Sequence, residues 1–180
     1  SCMTMRLACW EKLEDLKIII EDNVLPQEEF DKIYKDIRSS DFPWNLIEDG
    51  VSLHLDGSYQ FTHNFYSPQG VKSRYNFILT NLYKYLGVNK LLRSKVNLLH
   101  RSKEIYEFLP FHTDFMNVTE LYHTAIFYLN TNDGYTLFEN GSKVDSVANR
   151  VVKFDGRTPH TGSTHTSDDR FRLVLNINYF

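Results

Sequence analysis

His112-Thr113-Asp114 is the most informative tripeptide in the chain. In an extended segment, residues i and i+2 point to the same side, so this imidazole and this carboxylate can grip one metal ion. A third ligand from another strand would complete a facial set of two histidines and one carboxylate. Such a set leaves coordination positions open, which suits non-haem Fe(II) oxygen chemistry.

The tripeptide alone is a weak signal. With 7 His and 13 Asp in 180 residues, a chance His-x-Asp is nearly expected. A second copy, His54-Leu55-Asp56, is in fact present. There Asp56-Gly57 reads as a hairpin turn between two alternating strands, which accounts for Asp56 without a metal and leaves His54 as a strand histidine. The first copy has context. His160 follows His112 by 48 residues, in Arg157-Thr158-Pro159-His160-Thr161-Gly162, just beyond an apolar run over 150–154. Arg172 follows by a further 12 residues and opens an alternating run over 173–179. His165 is a rival to His160, but it lies in the polar stretch 163–167, whereas His160 stands beside the end of a strand. His123 begins the strand that contains Tyr128 and reads as structural or as lying near a pocket mouth.

At this point the sequence resembles the Fe(II)- and 2-oxoglutarate-dependent dioxygenases, and within them the prolyl-hydroxylase-like branch. The resemblance covers about residues 90–180 and rests on His112-x-Asp114, the run 124–130, Asn149-Arg150 with its apolar continuation, His160, and a late basic residue. It implies an α+β fold, mainly β: a double-stranded β-helix, or distorted jelly roll, braced by N-terminal helices. It implies that His112, Asp114 and His160 bind the iron, and that Arg172 pairs with the distal carboxylate of 2-oxoglutarate. A guanidinium fork matches a carboxylate bidentately and stays charged at any working pH. Tyr128 matches a tyrosine that hydrogen-bonds the same carboxylate in that branch. Arg170 competes with Arg172 at the same strand parity. Counting back from the end of the final strand favours Arg172, as do the modest side chains of Val174 and Asn176 beside it. Asn97 is polar inside the apolar run 95–99, so it is either a structural hydrogen-bonder or a cosubstrate contact.

The resemblance further implies that dioxygen and 2-oxoglutarate are consumed, that succinate and CO2 are released, and that a substrate is hydroxylated. Related halogenases replace the carboxylate ligand, and Asp114 is present here, so hydroxylation is expected. The expected substrate is a peptide or protein side chain, or a small molecule. An alternative reading is a non-catalytic jelly-roll module that binds a metal or small ligand. A zinc hydrolase would use the same ligand types but gives no reason for Tyr128 and Arg172.

The elements that must position these residues fall into two halves. Pro26 sits at a helix start, Glu28 and Glu29 occupy its first turn, and Phe30, Ile33, Tyr34 and Ile37 recur at helical spacing. Val71, Tyr75, Ile78, Leu79, Leu82, Tyr85 and Leu86 form a second helical stripe, with Gly87 as its stop. Strand-like runs cover 18–21, 51–55 and 59–62. The segment 60–66, rich in aromatic and polar residues, reads as a packed strand edge or as part of a substrate mouth. Beyond residue 91 no helix is expected. Runs over 95–99, 108–114, 123–130, 135–139, 143–147, 150–154 and 171–179 are separated by turn residues, Asn140-Gly141 the sharpest, as in an antiparallel sandwich or barrel.

Composition bounds the rest. At 180 residues, 42% apolar and 24% charged, the chain reads as one globular domain, with helical support over about 1–90 and the jelly-roll core over about 90–180. A net charge of -3 disfavours nucleic acid as a partner, and no apolar run is long enough to span a membrane. Residues 84–103 hold six basic side chains and no acid, either a solvated face or a surface that meets an acidic substrate. The two cysteines, Cys2 and Cys9, cannot staple the fold, and Glu11, Glu14 and Asp15 interrupt any apolar signal core. A cytoplasmic setting is therefore expected.

Overall fold

The structure, a computed structural model, describes residues 17–48 and 59–180. In chain order these form β1 (Ile19–Glu21), α1 (Gln27–Ile37), β2 (Asn45–Ile47), β3 (Gln60–Ser67), β4 (Gly70–Val71), a 3-10 helix (Arg74–Leu79) and α2 (Thr80–Leu86). Seven strands follow: β5 (Leu91–His100), β6 (His123–Tyr128), β7 (Tyr135–Phe138), β8 (Lys143–Asp145), β9 (Arg150–Asp155), β10 (His160–Gly162) and β11 (Phe171–Tyr179). The fold is mainly β, and every strand pairing is antiparallel. One sheet runs β1-β9-β6-β11-β5-β3-β2, with β4 on β3; the other runs β10-β7-β8.

Alternation gives the large sheet two different faces. Leu173, Leu175 and Ile177 of β11, Ala125 and Phe127 of β6, and Val151 of β9 point to one side. There they join Phe30, Ile33 and Ile37 of α1 and Leu82 and Leu86 of α2 in one buried cluster, with Phe30 edge-on to Phe127 at 6.0 Å between ring centroids. Val174, Ile126, Tyr128, Val152 and Phe154 point to the other side and pack with Phe138 and Val144 of the small sheet. From β6 onward the chain passes between the two sheets, so most turns there are crossovers. Asn140-Gly141 joins strands of one sheet: Gly141 takes φ +86°, and Phe138 N–H donates to Ser142 O at 3.0 Å.

Two residues fix the N-terminal segment against β9. Asn149, at φ +63°, accepts from Leu25 N–H at 3.0 Å through Oδ1 and donates to Leu25 O at 2.7 Å through Nδ2. Arg150 grips Asp22 with Nε at 2.6 Å and Nη2 at 3.0 Å. The Asn149-Arg150 dipeptide is therefore a local fastening in this chain.

Over residues 91–180 no helix forms, as the turn-separated runs require. Three expectations need correction. The stripe from Val71 to Leu86 is not one helix. Gly70, at φ +104°, turns the chain into β4, where Val71 is 64% exposed. The Ser73 side chain then accepts from Tyr75 N–H at 3.0 Å and starts the 3-10 helix, and α2 begins only at Thr80. The run 108–114 is not a strand: its pairing is an isolated bridge between His112 and His160. The strand expected over 59–62 extends to Ser67, where His63 and Phe65 pack on Phe42. The strand expected over 51–55, the His54-Leu55-Asp56 tripeptide and both cysteines lie outside the described residues.

Candidate active site

Three elements bring the metal-ligand candidates together. His112 N–H donates to His160 O at 3.1 Å and His160 N–H to His112 O at 3.0 Å, so the irregular 107–114 segment is stitched to β10. The Thr161 hydroxyl adds a bond to Phe108 O at 2.6 Å. Asp114 is tied to the last strand, where Asn178 Nδ2 donates to Asp114 Oδ2 at 2.8 Å and to Thr124 Oγ1 at 2.9 Å. Arg93 on β5 closes the other side, with Nη2 2.7 Å from Asp114 Oδ1. One ligand atom each from His112, Asp114 and His160 then lies within 4.8 Å of the others, the one such cluster of three or more candidate ligands among the described residues.

The protonation states suit a cation. His160 Nδ1 lies 3.0 Å from Thr158 O and donates to that carbonyl, which makes Nε2 the nitrogen available to a metal. His112 reaches solvent at the cavity mouth, yet burial first, and then its neighbour His160, hold its pKa below the usual histidine value. Asp114 pulls the other way without prevailing. For Asp114 itself burial acts to raise the pKa, but Arg93, His160 and the Asn178 hydrogen bond together hold it below the ordinary carboxylate value. The neutral form of His112 and the ionised form of Asp114 are thus both favoured.

The cluster opens into a cavity of about 240 Å³ between the sheets, whose wall includes Arg93, Lys95 and Asn97 of β5 and Arg172, Val174 and Asn176 of β11. Arg172 is 2% exposed. Its Nε donates to Ser146 Oγ at 2.8 Å, while its Nη2 is buried without a partner among the described residues. Burial presses its pKa down to about 10, still well above neutrality. Gly134 makes room for this side chain: a Cβ there would lie 2.6 Å from Arg172 Cδ. Tyr128 is buried and is not among the residues lining the cavity. Its ring lies 5.8 Å from the Arg172 guanidinium carbon, and its hydroxyl is 2.7 Å from Thr136 Oγ1, whose residue does line the cavity.

The remaining candidates divide cleanly. Asn97 lines the cavity and buries its Oδ1 without a partner among the described residues. Gln60 lines it too, but His63 faces away, bonded to Pro43 O and Ser73 Oγ at 2.7 Å each. Arg170 is exposed in the bend before β11. His165 is buried outside the cluster, with Nε2 2.7 Å from Asp169 O, and His123 is exposed against Tyr179. The sequence reading missed Arg93, Asn178, Ser146 and Tyr122. The Tyr122 hydroxyl donates to Gly156 O at 2.7 Å and accepts from Phe115 N–H at 3.3 Å, clamping the two segments that carry the candidate ligands. Asn178 was legible: it shares the β11 face of Arg172, and a polar side chain there needs a partner.

No protein-family model matches the sequence, and no curated protein matches it. Solved structures do. An oxidoreductase of the 2OG-Fe(II) oxygenase family from Burkholderia pseudomallei superposes with a TM-score of 0.65 at 12% identity, over 94% of this chain and 88% of that one. A prolyl hydroxylase from Trichoplax adhaerens, in complex with a hypoxia-inducible factor peptide, gives 0.61 at 16% identity, over 94% and 86%. HygX from Streptomyces hygroscopicus, with nickel and 2-oxoglutarate bound, gives 0.59 at 11% identity, over 94% and 85%. The chain thus has the fold of the 2-oxoglutarate-dependent Fe(II) oxygenases, including prolyl hydroxylases.

Proposed function

We propose that this chain is an Fe(II)- and 2-oxoglutarate-dependent dioxygenase that hydroxylates a peptide or protein side chain or a small molecule. The observation that carries the reading is one cavity holding both a two-histidine, one-aspartate cluster and a buried arginine with an unpartnered Nη2. The two facing sheets serve as the double-stranded β-helix, residues 91–180 supply the site, and α1 and α2 brace the outer face of the large sheet. All of it acts as a single domain, and the cytoplasm is the expected compartment.

The donor set fits a divalent first-row ion with positions left for ligands, and it fits Fe(II) as the ion that activates dioxygen. His112, Asp114 and His160 would hold it. The Arg172 fork fits the distal carboxylate of 2-oxoglutarate, because its unpartnered Nη2 needs an acceptor and the cavity has room for one. Bound iron and 2-oxoglutarate supply the oxidising chemistry, with release of succinate and CO2. The chain's own work is positional. Thr158 fixes the His160 tautomer, and Arg93 and Asn178 hold the Asp114 oxygens. Ser146 and Gly134 aim Arg172, and Thr136, held by Tyr128, stands on the opposite wall.

Succinate formation from 2-oxoglutarate under air with added Fe(II) tests the reading. Turnover, coupled or not, is expected from the wild type and not from Asp114→Ala. Binding of both ligands without succinate would instead make the chain a non-catalytic binding module.

A further inference from the structure

The charges around the cavity do not balance. Asp114 is the only carboxylate among its described lining residues, against Arg93, Lys95 and Arg172. On the dioxygenase reading, the ion and Arg172 face opposite ends of 2-oxoglutarate. Arg93 is already paired with Asp114 at 2.7 Å, and Arg172 meets the distal carboxylate. Lys95 is left over. Its ammonium makes no hydrogen bond or ion pair with any described residue.

The position of Lys95 is a built one. It faces the cavity from the middle of β5, two residues from Arg93 and from Asn97, and its cross-strand partner on β11 is Asn176. Asn97 and Asn176 line the same stretch of wall, each buries its Oδ1 without a partner among the described residues, and neither amide NH2 is spent on a hydrogen bond to one of them. The ammonium and the two amides put several donors on one stretch of wall, and β5 carries no acid to answer them. Burial, and then Arg93, push the Lys95 pKa down to about 8, with Asp114 acting to raise it, so the ammonium form still prevails at neutral pH. A cation held half-buried and unpaired is costly unless a ligand completes it.

We propose that Lys95, between Asn97 and Asn176, receives a carboxylate of the primary substrate. The inference rests on the dioxygenase reading and adds the substrate class: an acid, either a free amino or hydroxy acid or an acidic side chain in a peptide. The carboxylate accepts from the ammonium and the two amides, and so places the rest of the substrate toward the metal cluster.

The test uses the full chain loaded with Ni(II) and 2-oxoglutarate, titrated calorimetrically. The probes are free amino and hydroxy acids, each paired with its primary amide, and capped Asp and Glu peptides, each paired with its Asn or Gln counterpart. At least one acid is expected to bind roughly thirtyfold or more tightly than its amide, the loss typical of a buried charge pair deprived of one partner. Whether that acid is free or within a peptide identifies the source. Lys95→Gln should erase the preference and Lys95→Arg should keep most of it. The affinity for 2-oxoglutarate should stay within about threefold in both, a small fraction of the loss expected on removing a direct charge partner. The proposal is overturned if no acid binds or if acids and amides bind alike. It is overturned equally if Lys95→Gln weakens 2-oxoglutarate as much as Arg172→Ala does, which would assign Lys95 to the cosubstrate. Failure of 2-oxoglutarate itself to bind would overturn the dioxygenase reading, and this proposal with it.

Discussion

Arg172 is where sequence and structure meet most informatively. Strand parity could not separate it from Arg170, because both positions share it. Burial does: Arg172 sits at 2% exposure in the cavity wall, and Arg170 lies exposed outside β11. Removing one partner of a buried charge pair costs about 2–5 kcal/mol, so Arg172→Ala should weaken 2-oxoglutarate by roughly thirtyfold or more. Arg172→Lys should recover part of that, since an ammonium cannot reproduce the two-pronged contact. Arg170→Ala should be mild. A calorimetric series over the three variants checks this, and the opposite ranking would exchange the two arginines. The supports of Asp114 were harder to read. Arg93 looked like one more member of a basic stretch, because nothing local reveals that β5 lies beside β11 and faces residue 114. Asn178→Ala removes one of two groups holding the carboxylate, so Fe(II) affinity should fall by about tenfold, the lower end of the range for groups that orient a metal ligand. Unchanged Fe(II) affinity in Asn178→Ala would mean that Arg93 alone suffices.

At the scale of elements, what reads locally was legible and what depends on a partner was not. α1 and β11 announce themselves by period, and Asn140-Gly141 by turn chemistry. The Val71–Leu86 stripe misled because its apolar spacing runs through a hairpin end, a 3-10 helix and a short α-helix in turn. Leu82 is fully buried and Val71 is 64% exposed. Leu82→Ala should therefore cost about 2–5 kcal/mol in denaturant unfolding, while Val71→Ala should be nearly silent. Similar losses from both would restore the single-helix reading. β10 is only three residues long, and its place depends on the turn before it. A Cβ at Gly156 would lie 2.0 Å from the Tyr122 ring, so Gly156→Ala should cost about 1–3 kcal/mol and loosen the metal cluster. Stability and metal affinity both at wild-type level would remove Tyr122 as the clamp. His63 ties β3 to the start of the 3-10 helix through Ser73. Burial lowers its pKa, against a smaller upward pull from Pro43. The unfolded chain then takes up the proton first, so stability should decline as pH falls below about 6.5 and level off below the folded value. His63→Gln should flatten that part of the pH profile; an unchanged slope would place its origin elsewhere.

For the whole molecule, the order of the signals carried more than any one of them. A His-x-Asp, a histidine beside a strand end and an arginine opening the last strand could each occur by chance; in this order, with antiparallel runs between them, they outline two sheets around one cavity. What the sequence could not supply was which strands neighbour which, and hence the imbalance of charge that leaves Lys95 unpaired. On the proposed reading, one ion and one 2-oxoglutarate share this cavity, each held by its own part of the wall. Anaerobic calorimetric titration of the full chain measures this directly. One Fe(II) per chain is expected, followed by one 2-oxoglutarate that binds tightly only when the metal is present. Asp114→Ala should abolish both events, and Arg172→Ala should weaken the second alone. Fe(II) binding that survives Asp114→Ala, or 2-oxoglutarate binding indifferent to both the metal and Arg172, would contradict it.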